Sequence, residues 1–214
     1  LPYGAYTDVL CPRFAAALVV AALDYRRRTG KGQYLDLSQV ESAIQFLAPV
    51  MLDYTVNGRV EKRAGNRSNH ACPHNAYRCR GEDRWCAIAV RNDDEWQALC
   101  RVMGNAKLAS DKRFATLLAR RSNEAELDKH IEGWAANLTA EEVMGQLQAA
   151  GVPAGVVETN EDLFKDPQLQ HRHHFWYMDH PEAGRTAYDG PCFKMSKTPG
   201  EVSRPAPTLG EHTE

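Results

Sequence analysis

Arg26-Arg27-Arg28-Thr29-Gly30-Lys31-Gly32-Gln33-Tyr34-Leu35-Asp36-Leu37-Ser38 is the stretch whose reading decides the fold, because it carries a helix end, a turn, a strand and a cap in close succession. Upstream of it, Arg13 to Arg28 is alanine-rich and made of good helix formers, with Pro12 where a first-turn proline is tolerated. The three arginines suit the negative end of that helix's dipole. Past Gly30-Lys31-Gly32, the segment Gln33 to Leu37 alternates polar and apolar side chains, the period of a short half-buried strand. Ser38 then caps a helix expected to run to about Tyr54.

Working outward, Asn57 to Asn75 is polar and holds Gly58, Gly65 and Pro73, which predicts a long loop between two structural units. Ala76 to Arg80 and Arg84 to Val90 flank Gly81-Glu82-Asp83 as a hairpin. Helices are expected from Asn92 or Asp93 to near Gly104, over roughly Asn123 to Ala136, and from the capping box at Thr139 to Gly151. Ala154 to Glu158 reads as a strand. His173 to His180 and Thr186 to Ser196 hold short β-prone stretches, and Pro199 to Gly210 is expected as extended coil. The fold class this gives is α/β, with a small α+β unit near Pro73 to Val157.

Composition narrows the function classes. A chain of 214 residues with 43% hydrophobic and 25% charged residues is an ordinary globular protein. Its formal net charge of -2 supplies no basic field, so no nucleic-acid partner is expected. The apolar run Phe14 to Leu23 is too short to span a bilayer and is followed by Asp24 and arginines, which predicts a buried helix and no membrane role. No leader pattern opens the sequence, and six scattered cysteines suit reduced thiols, so a cytoplasmic location is expected.

Read as a pattern, Asp8 followed by the alanine-rich helix and then Arg28-Thr29-Gly30-Lys31-Gly32-Gln33 resembles the class III coenzyme A transferases of the carnitine and bile-acid type. Arg63-Ala64-Gly65-Asn66, Trp85-Cys86-Ala87-Ile88-Ala89-Val90 leading to Asn92-Asp93-Asp94-Glu95-Trp96, Gly151-Val152-Pro153-Ala154-Gly155 before Asp166-Pro167, and Lys197-Thr198-Pro199-Gly200 agree in order. So does the closing Pro205-Ala206-Pro207-Thr208-Leu209-Gly210-Glu211-His212-Thr213. The resemblance covers nearly the whole chain. It implies part of a Rossmann-like large domain plus a small α+β domain, in an interlocked homodimer. The corresponding division is 1–56 for a large-domain segment, 57–75 for a linker, 76–166 for the small domain and 167–214 for a return to the large domain. Family members are longer, with a nucleotide-binding half upstream of the portion matched, so this chain alone is expected to be poorly active or inactive.

The implied reaction moves coenzyme A between an acyl-coenzyme A and a free carboxylic acid. A carboxylate can carry out both halves, as an anhydride and then as a thioester, and the resemblance places that carboxylate at Asp8. Asp8 also precedes a helix start, whose free N–H groups favour anions. After the aspartate the family often has a small residue and glycine, whereas here the order is Val9-Leu10-Cys11-Pro12-Arg13. The candidates for substrate or coenzyme A binding are Arg28, Lys31, Gly65, Asn66 and Asn69. The coenzyme A thioester enters as substrate, with no permanent cofactor. Two alternatives stand beside transfer: an acyl-coenzyme A racemase or isomerase of the same superfamily, and a non-catalytic fragment or binding module.

His70, Cys72, His74, Cys79 and Cys86 invite a zinc reading, but no paired Cys-x-x-Cys or finger spacing is present and no metal is expected. His171, Arg172, His173 and His174 read as a surface turn. Cys11 has no histidine partner at a diagnostic spacing and reads as packing, and Trp85, Trp96 and Trp134 read as core.

Overall fold

The structure, a computed structural model, describes residues 6–213. The first five residues of the expected opening segment and Glu214 of the closing one lie outside the described residues. The chain divides into two compact units, 1–64 and 65–214, each with mixed or purely helical content of its own.

The first unit is helical. α1 spans Tyr6–Thr29 and so begins upstream of Pro12, which stands inside the helix rather than in its first turn. Gly30 ends it at a φ of 73°, where the N–H of Gly30 closes on the carbonyl of Arg26 at 2.9 Å. α1 is a 24-residue helix whose most apolar window has a mean hydropathy of 1.5, long and apolar enough to cross a bilayer by length and composition. The expectation that its apolar run is too short, made from Phe14 to Leu23 alone, is corrected on that point, and so is burial, since no α1 residue is buried within the structure.

The segment Gln33 to Leu37 joins no sheet among the described residues. Alternation is necessary for a half-buried strand but not sufficient, because its N–H and C=O groups need a neighbouring strand, and the described residues of this unit hold none. Ser38 does cap the next helix, α2 (Gln39–Ile44), its side chain accepting from the Glu41 N–H at 3.2 Å. The single helix expected to Tyr54 is interrupted by a 3₁₀ turn at Gln45–Leu47 before α3 (Ala48–Asn57). Pro49 explains the break: it has no N–H for the carbonyl four residues earlier. Gly58, at a φ of 64°, closes α3.

The second unit carries the main core. β1 (His74–Arg78) and β2 (Trp85–Ala89) form the expected hairpin, with Tyr77 opposite Cys86, and β3 (Ala154–Val157) pairs with the other edge of β2. Between them in sequence come α4 (Asp93–Val102), α5 (Ala106–Ser110), a 3₁₀ turn, α6 (Leu117–Ser122), α7 (Glu124–Ala135) and α8 (Ala140–Ala149). Alternation divides the sheet into two faces. Tyr77, Cys86 and Ile88 point into a core with Trp96 and Leu99 of α4, Leu127 and Ile131 of α7, and Val143 and Leu147 of α8. Trp96 is fully buried, whereas Trp85 and Trp134 are half-buried.

Arg120 is the exceptional core residue. It is fully buried, donates to the carbonyls of Cys72 at 2.8 Å and Phe114 at 3.1 Å, pairs with Asp93 at 2.8 Å, and lies over the Trp96 ring. The unit continues through α9 (Asn160–Lys165), α10 (Pro167–His171), β4 (Phe175–His180) and β5 (Gly184–Asp189), the last two a separate hairpin. Phe164 stacks on Phe175 with ring centroids 4.3 Å apart, tying α9 to β4. The helices α5, α6, α9 and α10 lie outside those that the sequence predicts. They are short, and side-chain caps at Asn105, Thr116, Thr159 and Asp166 define each of them.

Candidate active site

Asp8 stands in the first turn of α1 and is exposed. α2 lies against α1, its Ser42 and Ala43 are buried, and in the 3₁₀ turn just beyond it Phe46 makes an edge-to-face contact with Phe14 at 5.8 Å. Because Ser38 is the cap, Gln39 is the first residue of α2, and its side-chain amide reaches α1 and donates to Oδ1 of Asp8. Pro12 acts on the same residue from the other side. Four residues on from Asp8, it offers no N–H to the Asp8 carbonyl. Cys11 is half-buried beside it.

Within the first unit, Arg28 and Lys31 do not gather around Asp8. Arg28 lies twenty residues along α1, ~30 Å at helical rise. Its Nε is engaged by Asp24 at 2.8 Å, and Arg27 binds the other oxygen of the same carboxylate. Lys31 is exposed just past the helix end, its backbone N–H donating to the Thr29 hydroxyl at 3.2 Å.

Gly65, Asn66 and Asn69 belong to the second unit. Gly65 takes a φ of 62°, left-handed backbone that suits glycine. Asn66 donates to the Asn75 side chain at 3.0 Å, while its carbonyl meets Nδ1 of His74 at 2.5 Å. Asn69 accepts from Arg121 at 2.8 Å, and Arg67 pairs with Glu124 at 3.3 Å. These contacts pin the loop to the helices of its own unit. Asn66, His74 and Asn75 also edge a cavity of about 660 Å³ on the sheet face away from the core, floored by Ala76, Ala87 and Gly155.

The thiols near this loop are chemically quiet. Burial, with Glu124 adding to it, pushes the Cys72 thiol up to about 12, and burial raises Cys86 and Cys100 to about 12 as well. Tyr77 is raised by burial and by its 2.6 Å hydrogen bond to Asp128. Among the described residues no group of three or more His, Cys, Asp or Glu side chains is placed to hold a metal.

The side-chain contact of Gln39 with Asp8 is one that sequence reasoning missed. Gln39 is separated from Asp8 by more than a whole helix, and a glutamine after a serine cap carries no signal of its own. The packing of α2 on α1 reveals it.

The model of CoA-transferase family III matches residues 2–213. The chain belongs to CoA-transferase family III. The class III resemblance read from the sequence is therefore met. Among curated relatives, the succinyl-CoA–D-citramalate CoA-transferase of Chloroflexus aurantiacus is 32% identical over 96% of this chain and 51% of its own length. The human succinyl-CoA:glutarate CoA-transferase is 26% identical over 99% of this chain and 48% of its own length. A crystal structure of a CAIB/BAIF family protein from Brucella suis superposes with a TM-score of 0.84 at 28% identity, covering 99% of this chain and 55% of that one. The family III chain thus spans about half the length of the curated relatives it matches.

Proposed function

We propose that this family III chain takes part in coenzyme A transfer between an acyl-coenzyme A and a carboxylic acid, with Asp8 as the residue that becomes covalently loaded. The observation that carries the reading is the Asp8 carboxylate, exposed to an incoming acyl group and held at one oxygen by Gln39. A carboxylate is itself a nucleophile, so Asp8 attacks the thioester carbonyl without a general base. The attack forms an acyl–aspartyl anhydride and expels the coenzyme A thiolate. The thiolate then adds to the aspartyl carbonyl, releasing the donor acid and leaving an aspartyl thioester. An acceptor acid reverses the two steps and departs as a new acyl-coenzyme A. Both loaded states are water-sensitive, so the carboxylate must be covered during turnover.

Arg28, Lys31, Gly65, Asn66 and Asn69 are proposed as contacts to substrate or coenzyme A. Lys31, exposed, and the sheet-face cavity beside Asn66 support this more than Arg28 and Asn69, which are engaged by Asp24 and Arg121. Coenzyme A enters as a thioester substrate without a resident cofactor. We further infer a Rossmann-like large domain containing 1–56 and 167–214, a linker at 57–75, a small domain at 76–166, and an interlocked homodimer. The first unit supports that inference: Val20, Leu52 and Val56 are 66%, 62% and 76% exposed, and such apolar helix surface asks for protein cover. The polar contact that ties the first turn of α1 to α2 favours protein over lipid around that helix. Free cysteines throughout support a cytoplasmic setting.

The test uses the complete gene product mixed with succinyl-coenzyme A and glutarate. Mass spectrometry should find a hydroxylamine-sensitive thioester on Asp8, and Asp8→Asn should abolish both the adduct and glutaryl-coenzyme A formation. Deuterium entering the α-carbon of a chiral acyl-coenzyme A without any adduct would replace transfer by racemisation.

A further inference from the structure

Gln39 touches the carboxylate that the proposed function loads, and it does so with a group that suits more than one step. Its amide is neutral, so it orients the Asp8 carboxylate without cancelling the charge that attacks. It binds Oδ1, and among the described residues no donor reaches Oδ2. The contact is not an accident of a flexible tail, since Ser38 fixes the start of α2 through its own cap and Ser42 bonds back to the Ser38 carbonyl at 2.8 Å.

We infer that Gln39 is a catalytic donor: it leaves Oδ2 to attack the acyl carbon and supplies the hydrogen bond to Oδ1 when that oxygen takes up negative charge. The inference rests on the reading of Asp8 as the loaded residue. Once Oδ2 has bonded to the acyl carbon, Oδ1 is the carbonyl oxygen of the aspartyl half of the anhydride. Thiolate addition at Cγ moves the carbonyl electron pair onto Oδ1, and collapse breaks the Cγ–Oδ2 bond, so the donor acid leaves with Oδ2. The acceptor acid adds to the same carbon and expels the thiolate, again with charge on Oδ1. A donor already aimed at that oxygen is stronger in these tetrahedral states than in the resting carboxylate once the site is closed from water. Exposed as it now stands, the same hydrogen bond is worth little. The gain comes with closure.

The experiment compares wild type with Gln39→Leu and Gln39→His in the complete gene product, following formation of the Asp8 thioester from succinyl-coenzyme A by rapid quench and mass spectrometry. Loss of one oxyanion donor is expected to slow thioester formation in Gln39→Leu by about 100-fold. KM should stay within about twofold, because the donor acts on the tetrahedral state and not on bound substrate. Gln39→His keeps an N–H and should recover about tenfold of the loss, which a mere packing role would not produce. A Gln39→Leu rate within about twofold of wild type, with the wild-type thioester present, overturns the inference alone. Absence of the thioester in wild type overturns the Asp8 reading and this inference with it. If Gln39→Leu unfolds, Gln39→Met carries the same comparison.

Discussion

Arg120 shows what one side chain can hold together. A guanidinium removed from water has to satisfy its donors, and here two backbone carbonyls and Asp93 do so while Trp96 covers its face. Arg120→Met fills similar volume but leaves the Cys72 and Phe114 carbonyls without their donor, and should cost about 3 kcal/mol in urea unfolding. Asp93 is 62% exposed at its side chain, so Asp93→Asn should cost less than about 1 kcal/mol in the same assay. Equal losses for the two would mean that the ion pair, and not the carbonyl bonds, carries the effect. Asp162 is the other informative residue. The Thr159 N–H first, and Arg84 at 2.5 Å second, hold its carboxyl down at about 2 from an ordinary 3.8. A depressed folded value adds stability that is fully present above the unfolded value and is lost as pH falls through the folded one. Urea midpoints for the wild type should therefore fall between about pH 4 and pH 2. Arg84→Gln should flatten that slope only partly, since the Thr159 cap remains.

At the scale of elements, prolines and glycines decide where helices and hairpins stop. Pro12 lies inside α1, where it forgoes a hydrogen bond and crowds the Asp8 carbonyl. Pro12→Ala should restore the bond and stabilise α1 by up to about 3 kcal/mol, visible as a higher melting temperature. Under the proposed chemistry the same change shifts the backbone of the loaded residue and lowers thioester formation, so the two readouts should move in opposite directions. Gly190 is bound in a different way. A Cβ there would meet the His174 carbonyl at 2.6 Å and Trp176 Nε1 at 2.7 Å, so Gly190→Ala should loosen the hairpin of β4 and β5 by about 1–3 kcal/mol. These elements also show what the sequence made legible. The capping box at Thr139, the Asn92 cap and the Gly81 turn are local signals, and the elements they predict are present. The supposed strand at Gln33 to Leu37 has the right period and no partner, and the contact of Gln39 with Asp8 depends on how two helices pack. Both lie beyond any local pattern. The proposed role of Asp8 rests on a family-wide order of residues and on no local pattern, since an aspartate near a helix start is ordinary in itself.

At the scale of the whole molecule the two units differ in what holds them. In residues 65–214 a three-stranded sheet packs one face on α4, α7 and α8 around fully buried Trp96, Ile88, Leu99, Phe114, Leu127 and Ile131, the kind of core that supports cooperative unfolding by itself. In the described part of residues 1–64 only Ser42 and Ala43 are buried, while large apolar side chains lie exposed on all three helices. Helices gain most of their stability from tertiary burial, so α1 to α3 have little of their own. Hydrogen exchange followed by mass spectrometry on the 214-residue chain should therefore give two populations. Amides of β1, β2, α7 and α8 should exchange only through global opening, and those of α1 to α3 should exchange orders of magnitude faster through local opening. If the first unit is a segment of a larger domain, as proposed, the complete gene product should protect α1 to α3 to the same level as the sheet, and the two populations should merge. Equal protection of both units in the 214-residue chain alone would show that the first unit needs no further cover, and would remove the structural support for placing it in a larger domain.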